Sequence, residues 1–353
     1  MNAPRSMGYV IKNAPYHAYG MLTSSWAEIW QATGELARVR SVSQGALIAD
    51  IIHTQWTLGI TPRDYLLMAL HDRSSAERAT WVGTVDMYRA QRIWNPASAR
   101  ETLMDKEKFS KVFAGLMDPR RFVVRDSRQA PALKKWIDDL GESVMISKPA
   151  GGQCGKGVLK HSISRGDTIS VDGHPVGGGW LDSLDLPRVF EPRLENHPVL
   201  ASVYAGSLNT VRVLTFRARS GSTRVFAARV RFGRWGHTDG RLAGGIAAAV
   251  DASAGTVNTP AVSGELHRVE RFEEHPGTDA RILGIQLPNW SEAIDLALEA
   301  ASILPRARCV GWDVALTPSG PVLMEGNHNW CKILWQVPVN QGLRSEVEEM
   351  LRA

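Results

Sequence analysis

The sequence predicts an α+β chain with more than one core, in which about a hundred mostly helical residues precede alternating helices and strands. Three observations carry this. The chain has 353 residues, 44% of them hydrophobic, which is more than a single core usually holds. Residues 1–103 show helical periodicity and helix-start signals. From residue 104 the order becomes helix, strand, helix, strand, and two β-rich runs flank Thr317, Pro318, Ser319 and Gly320 near the C-terminus.

Charge and composition narrow the function. The 41 basic and 36 acidic residues leave a net charge of +5, and the basic residues are scattered rather than run together. That suits anionic small molecules better than a nucleic-acid footprint. The three cysteines, Cys154, Cys309 and Cys331, lack metal spacing and cannot all pair, as expected in a reducing compartment. No apolar run approaches the ~18 residues of a membrane helix, and the N-terminus lacks the apolar core of a signal peptide. The expectation is a cytoplasmic protein without nucleic-acid or membrane partners.

In the first module, residues 25–39 form an amphipathic run with Trp26, Ile29 and Trp30. Thr61 is a helix N-cap, followed by Pro62 in the first turn and an acid at Asp64. Another helical stretch covers residues 75–92. No catalytic constellation stands out, and the module reads as a helical accessory domain. Asn95-Pro96 then breaks the chain.

The second module, residues 104–192, opens with Asp105 as N-cap and Phe109, Val112, Phe113 and Leu116 at helical spacing. Lys106 thereby sits in a first turn whose backbone N–H groups already favour anions. Residues 121–125 read as a strand, 130–140 as a helix closed by Gly141, and 143–148 as a strand ending on Lys148. A glycine-rich run follows, with Gly151, Gly152, Gly155, Lys156 and Gly157. It is not a phosphate-binding P-loop: Gly157 stands where serine or threonine is needed, Ala150 replaces the first glycine, and the next residues read as strand rather than helix. It suits either a flap folding over phosphates or a flexible hairpin. Residues 167–185 are loop-rich, and 188–191 form a short strand stopped by Pro192.

The third module, residues 193–353, begins with a strong strand over 207–216. Arg212 shares a face there with Leu214 and Phe216, so its guanidinium needs an anion, from a ligand or a structural acid. Residues 224–234 alternate Phe226, Ala228, Val230 and Phe232 against Ala227, Arg229 and Arg231. The basic face lacks the stacking aromatics of a nucleic-acid groove. Residues 236–250 read as a mobile loop, 291–304 as a helix closed by Pro305, 329–340 as irregular, and 343–352 as a terminal helix.

The closing hairpin holds the sharpest signal. A three-residue loop with a type I turn on Pro318-Ser319 pairs Thr317 with Pro321 and brings Asp313 opposite Glu325. A two-residue loop would set Met324 opposite Asp313 and send the acids to opposite faces. In the preferred register Asn327 shares the acids' face. Opposed carboxylates repel at about 5 Å, and a hard divalent cation, magnesium or manganese rather than zinc, would relieve this. The same spacing also suits an exposed hairpin with two solvated acids.

Together these parts resemble the ATP-grasp superfamily, and within it the sugar-transfer-associated ATP-grasp proteins. The likeness rests on Asp105-Lys106, on Ser147-Lys148-Pro149 with the Gly151–Gly157 loop, on Phe190-Glu191, and on residues 207–212. It also rests on Asp239 with Gly244-Gly245, on Gly311-Trp312-Asp313 and on Glu325-Gly326-Asn327, with residues 61–65 matching the group's N-terminal segment. It covers nearly the whole chain. It implies an ATP-grasp fold of two α+β lobes clasping ATP, behind a helical N-terminal domain. Lys106 and Lys148 would hold the α- and β-phosphates beneath the glycine flap. Backbone groups of Phe190 to Leu194 would meet adenine, with Glu191 at the hinge. Asp313, Glu325 and Asn327 would carry two Mg2+ ions, for which Mn2+ could substitute. Arg212 and Arg231 would meet the γ-phosphate or an acceptor carboxylate.

The implied reaction is ATP-dependent carboxylate–amine ligation through an acylphosphate, giving ADP and phosphate, in polysaccharide or natural-product biosynthesis. The substrates would be a small carboxylate and an amine derived from a sugar or an amino acid. Oligomeric state stays open, with a homodimer among the options. A kinase that stops at phosphoryl transfer and a non-catalytic nucleotide-binding module are the alternatives. Two positions depart from the family pattern: Gly240 stands where asparagine is expected after Asp239, and Cys154 sits in the flap.

Overall fold

In the computed structural model, the described residues are 8, 11, 13–151, 157–163, 169–177, 179–234, 245–264, 266 and 268–353. The first hundred residues are helical: Ala14–Leu22, Trp26–Arg40, Gln44–Leu58, Pro62–Leu67, Ser75–Thr80, Thr84–Trp94 and Ala97–Met104. Ser25, Ser43, Thr61 and Ser74 each accept from a backbone N–H three residues on, satisfying a donor that the helix start would leave orphaned.

One of these helices carries little signal in the sequence, and one stretch differs from the sequence reading. The helix Gln44–Leu58 buries only a thin stripe at Ile51, Thr54 and Gln55, so its apolar periodicity is weak. The stretch expected as one helix over 75–92 is two. Between them Trp81 and Gly83 are extended, and the Val82 backbone N–H donates to Gln336 Oε1 at 2.9 Å while its carbonyl accepts from Gln336 Nε2 at 3.1 Å. A side chain from the far end of the chain thus replaces the helical bonds.

Two antiparallel sheets follow. The first runs in the order β1-β6-β2-β3-β4-β5, from β1 (Phe122–Val124), β2 (Val144–Pro149), β3 (Leu159–Ile163), β4 (Ile169–Val171), β5 (His174–Pro175) and β6 (Arg188–Pro192). The helix Ala130–Leu140 covers it, capped by Gly141 at φ 65°. The β4–β5 pair lies where only loop was expected, in strands too short to show alternation.

The second sheet is ordered β11-β10-β9-β8-β7-β12-β13. Its strands are β7 (Thr210–Arg217), β8 (Thr223–Phe232), β9 (Ile246–Val250), β10 (Ala261–Val262), β11 (Arg271–Phe272), β12 (Cys309–Thr317) and β13 (Gly320–Asn327). β9 corrects the expectation of loop through residue 250; residues 235–244, with Asp239, Gly240 and Gly244, lie outside the described residues. The helix Trp290–Ile303 packs Ala293, Ala297 and Ala300 onto one face, against Val211, Val213, Ala228, Val230 and Trp312.

On the other face Leu214 and Phe216 pack with Trp94, Trp330 and Trp335. A further cluster joins Ile29, Leu36, Tyr65 and Leu66 to Ile333 and Val337 of the C-terminal region. The N-terminal helices therefore share cores with the second sheet and with the helix Lys332–Gln336, a segment expected to be irregular. Arg229 fixes that helix, donating to the carbonyls of Leu334 at 3.1 Å and Trp335 at 2.7 Å. Burial pulls the Arg229 guanidinium down to about 9.

Candidate active site

The site grows from the β12–β13 hairpin. Asp313 does pair with Glu325, but by another route than the expected one. The loop has two residues, with Thr317 opposite Gly320, Leu316 opposite Pro321 and Val314 opposite Leu323. The ladder then shifts between Asp313 and Val314, so Met324 is an extra residue in β13, a β-bulge. The bulge undoes the face inversion that a two-residue loop would impose. Gly320 takes a φ of 117°, and Thr317 Oγ1 bonds its carbonyl at 2.7 Å, which fixes the tight turn. At Gly326 a Cβ would stand 2.7 Å from the Trp312 ring, so glycine lets β13 close over that buried indole.

Next along the sheet, β7 brings Arg212 opposite Asp313. Its guanidinium grips the carboxylate at two points, Nε to Oδ1 at 2.5 Å and Nη2 to Oδ2 at 2.6 Å. Arg231, from β8, adds Nη2 to Oδ2 at 3.2 Å and bonds Thr210 Oγ1 at 2.8 Å. The partner that Arg212 needs is thus one of the site's own acids. Burial alone would push the Asp313 carboxyl up, but the two guanidinium groups hold it down at about 2.

Glu325 behaves differently. Its side chain is 45% exposed against 3% for Asp313, and its nearest guanidinium contact, Arg212 Nη2, is 3.8 Å away. The desolvating walls and the Asp313 charge push its carboxyl above the usual glutamate value. Asn327 Nδ2 donates to Glu325 Oε1 at 3.1 Å, which leaves the amide oxygen as a further oxygen donor.

Across the cleft, the first sheet presents a second charge cluster. Lys148 Nζ lies 2.7 Å from Glu191 Oε1, and Arg121 Nη2 lies 3.1 Å from Glu191 Oε2. The pair is diagonal, since Glu191 stands opposite Ile146 in the β2–β6 register. Burial opposes the Glu191 charge, yet Lys148 and Arg121 lower its carboxyl overall. Arg121 carried no signal in the sequence beyond its place in a strand.

A cavity of about 510 Å3 joins these groups, with Lys148, Glu191, Arg212, Arg231, Asp313 and Glu325 on its wall. Asn327 and Leu194 also line it. Lys106 lies in a small adjoining cleft with Lys148, Glu325, Asn327 and Arg121. Its backbone N–H donates to Ala150, just before the glycine-rich turn, at 3.2 Å. Burial, then the Lys148 charge, lower its ammonium below the usual lysine value despite the nearby Glu325.

The remaining sequence candidates divide. Phe190 is corrected: β6 is an inner strand with Ser147 and Phe122 opposite Phe190 on either side, and its ring packs against His161 and Trp180 in the lobe core, away from the cavity. Gly151 is exposed at the end of β2, and Gly157, at φ 69°, accepts from Arg188 through its carbonyl. Gly152, Gly155 and Lys156 lie outside the described residues. Residues missed by the sequence reading are Arg121, Thr210, and Thr84, Met87 and Tyr88 on the helix Thr84–Trp94, which line the large cavity from the helical module.

The donor set fits a hard divalent cation. Among the described residues no three His, Cys, Asp or Glu side chains gather around one point. The third donor here is an amide oxygen, and burial beside the Asp313 charge raises the Glu325 carboxyl, a repulsion that a bound cation would relieve. No described helix is long and apolar enough to cross a membrane.

Comparison with known proteins adds the following. Residues 88–352 match the family described as sugar-transfer associated ATP-grasp. No curated protein matches the chain. Among solved structures it is similar to the ADP complex of N5-carboxyaminoimidazole ribonucleotide synthetase, at 16% identity and TM-score 0.39, over 65% of this chain and 45% of that one. It is also similar to D-alanine–D-alanine ligase from Coxiella burnetii, at 10% identity and TM-score 0.41, covering 71% and 57% of the two chains. For VanG D-Ala:D-Ser ligase from Enterococcus faecalis the values are 14%, 0.41, 71% and 61%. The chain spans about half the length of the first two of these structures.

Proposed function

The chain belongs to the sugar-transfer associated ATP-grasp family, and from that premise we propose that it is an ATP-dependent carboxylate–amine ligase. ATP-grasp proteins are generally ATP-dependent ligases that use magnesium; the reaction class within that group is the proposal. The observation that carries it is the acid–amide set Asp313, Glu325 and Asn327, braced by Arg212 and Arg231 and facing Lys148 across one cavity.

Phosphoryl transfer needs charge neutralisation and positioning more than covalent help, and this site is built of charges. Lys148 and Lys106 would meet the α- and β-phosphates, Lys148 moving over from Glu191, which keeps Arg121 as its partner. Glu325, Asn327 and Asp313 would hold two magnesium ions, which when bound neutralise phosphate charge. Arg212 fixes the Asp313 carboxylate, and Arg231, beside the same acid, would meet an acceptor carboxylate.

In the first step an acceptor carboxylate oxygen bonds the γ-phosphorus, the bond to the bridging oxygen breaks, and ADP leaves. In the second an amine nitrogen attacks the acyl carbon, phosphate departs with the bonding pair, and the nitrogen loses a proton. Hydroxylamine tests this reading, because it intercepts an acylphosphate as a hydroxamate. ATP- and magnesium-dependent hydroxamate from a carboxylic acid is the expected result. A stable phosphorylated product, inert to hydroxylamine, would replace ligase with kinase.

A further inference from the structure

The large cavity extends well beyond the acids. One wall comes from Met87 and Tyr88 on the helix Thr84–Trp94, and from Ile333, Leu334 and Val337 in and just after the helix Lys332–Gln336. The sequence held one unabsorbed signal for this wall, the turn that starts at Thr61. Asp64 in that turn is not a solvated helix-start acid. It is 4% exposed, accepts from Thr84 Oγ1 at 2.6 Å, and pairs with Lys332 Nζ at 2.9 Å.

That ion pair decides what the wall can recognise. Lys332 is the cation on this wall among the described lining residues, and Asp64 already neutralises it. Thr84 is committed to Asp64, and Ser263 Oγ accepts from the Glu270 N–H at 3.3 Å. On this wall a second carboxylate or a phosphate on the acceptor would meet only a cation already matched by Asp64. Among the described lining residues outside the arginine–acid cluster, the other cations, Lys148, Lys160 and Arg193, lie on the first-sheet side. Leaving a charged group of the acceptor unpaired inside a protein is costly, whereas apolar surface gains by burial. The wall is also firmly held: Arg229 grips the carbonyls of Leu334 and Trp335, and Gln336 clamps Val82. A pre-formed apolar chamber beside a few convergent charges is the usual form of a small-molecule site.

We infer that the acceptor is a monocarboxylic acid with an apolar body, aliphatic or aromatic, lying against Met87, Tyr88, Ile333, Leu334 and Val337 with its carboxylate toward the arginine–acid cluster. The inference rests on the ligase reading for the carboxylate's role, and adds that the helical module forms part of the substrate site.

Calorimetry with the full-length protein tests it, in magnesium and a non-hydrolysable ATP analogue, using straight-chain acids from acetate to decanoate with glucuronate and glutarate alongside. Affinity is expected to rise about fourfold per methylene until the chamber is full, with glucuronate and glutarate no tighter than acetate. Tyr88→Trp is expected to stop the gain at a shorter acid, and Tyr88→Ala at a longer one, a shift that general destabilisation does not produce. A flat series, or tighter binding of glucuronate or glutarate than of any fatty acid, overturns the inference. Parallel hydroxylamine trapping separates the two readings. A chain-length gain without hydroxamate keeps the chamber and defeats the ligase. Hydroxamate from glucuronate without a chain-length gain keeps the ligase and defeats the chamber.

Discussion

Arg212 grips Asp313 at two points, with Nε to Oδ1 at 2.5 Å and Nη2 to Oδ2 at 2.6 Å, from a strand whose same-face neighbours Leu214 and Phe216 are fully buried. A planar fork suits this contact and an ammonium does not. The acid is therefore oriented before any ligand arrives, and its neighbour Glu325, which lacks such a fork, is the carboxylate left to respond to a cation.

Removing Arg212 would strand a buried carboxylate, which usually costs about 3–5 kcal/mol. Arg231 stays 3.2 Å from Asp313, so Arg212→Ala is expected near the lower end, about 3 kcal/mol in urea unfolding. Arg212→Lys should recover part of that stability but little of the ATP turnover. A variant as stable as the wild type would show that the fork carries no weight.

For Glu325→Gln the balance reverses. The side chain is partly exposed and its charge sits unfavourably beside Asp313, so stability should stay within about 0.5 kcal/mol. ATP turnover in magnesium should drop by about 100-fold or more, the scale for losing one electrostatic partner of a transition state. Steady-state ADP release at the wild-type rate would refute the metal assignment.

Much of this site could be read from the sequence, but not its wiring. Asp313, Glu325 and Asn327 announce themselves because a hairpin has period two and few registers. The bulge at Met324 does not, since a single extra apolar residue leaves no mark in the alternation, and the right pairing was expected from the wrong loop. The bulge at Phe226 is equally silent: Val225 pairs Thr215 and Ala227 pairs Leu214, which shifts Phe226 to the opposite layer from Ala228 and Val230. Arg121 with Glu191, and Lys332 with Asp64, are contacts between distant segments, and no periodicity encodes which distant partner a charge finds.

The opposed shifts of the two hairpin acids give a pH test. The Asp313 carboxyl is lowered from 3.8 to about 2, so its contribution to stability is present above 3.8 and fades as pH falls toward 2. The Glu325 carboxyl is raised above 4.5, so its contribution is full below 4.5 and is lost as pH rises through the folded-state value. A divalent cation competes with the proton on Glu325. The rise in Tm produced by magnesium with ADP should therefore be large at neutral pH and shrink as acidification protonates Glu325. Glu325→Gln should flatten that dependence. A magnesium shift that persists unchanged below 4.5 would exclude Glu325 as the titrating ligand.

The Asp64–Lys332 pair ties the helical module to the wall of the cavity, and a double-mutant cycle measures that tie. Asp64 is 6% and Lys332 15% exposed by side chain, so removing either partner alone leaves a largely desolvated charge. Asp64→Asn keeps the shape and a bond to Thr84 but strands the ammonium; Lys332→Met keeps the stem but strands the carboxylate. Each is expected to cost about 3 kcal/mol in urea unfolding. The double variant should cost less than their sum by about 1–3 kcal/mol, because the second change removes the charge stranded by the first. Strict additivity would mean that the two groups do not stabilise one another, and that the helices are held by their other contacts, among them the shared apolar clusters and the Gln336–Val82 bonds.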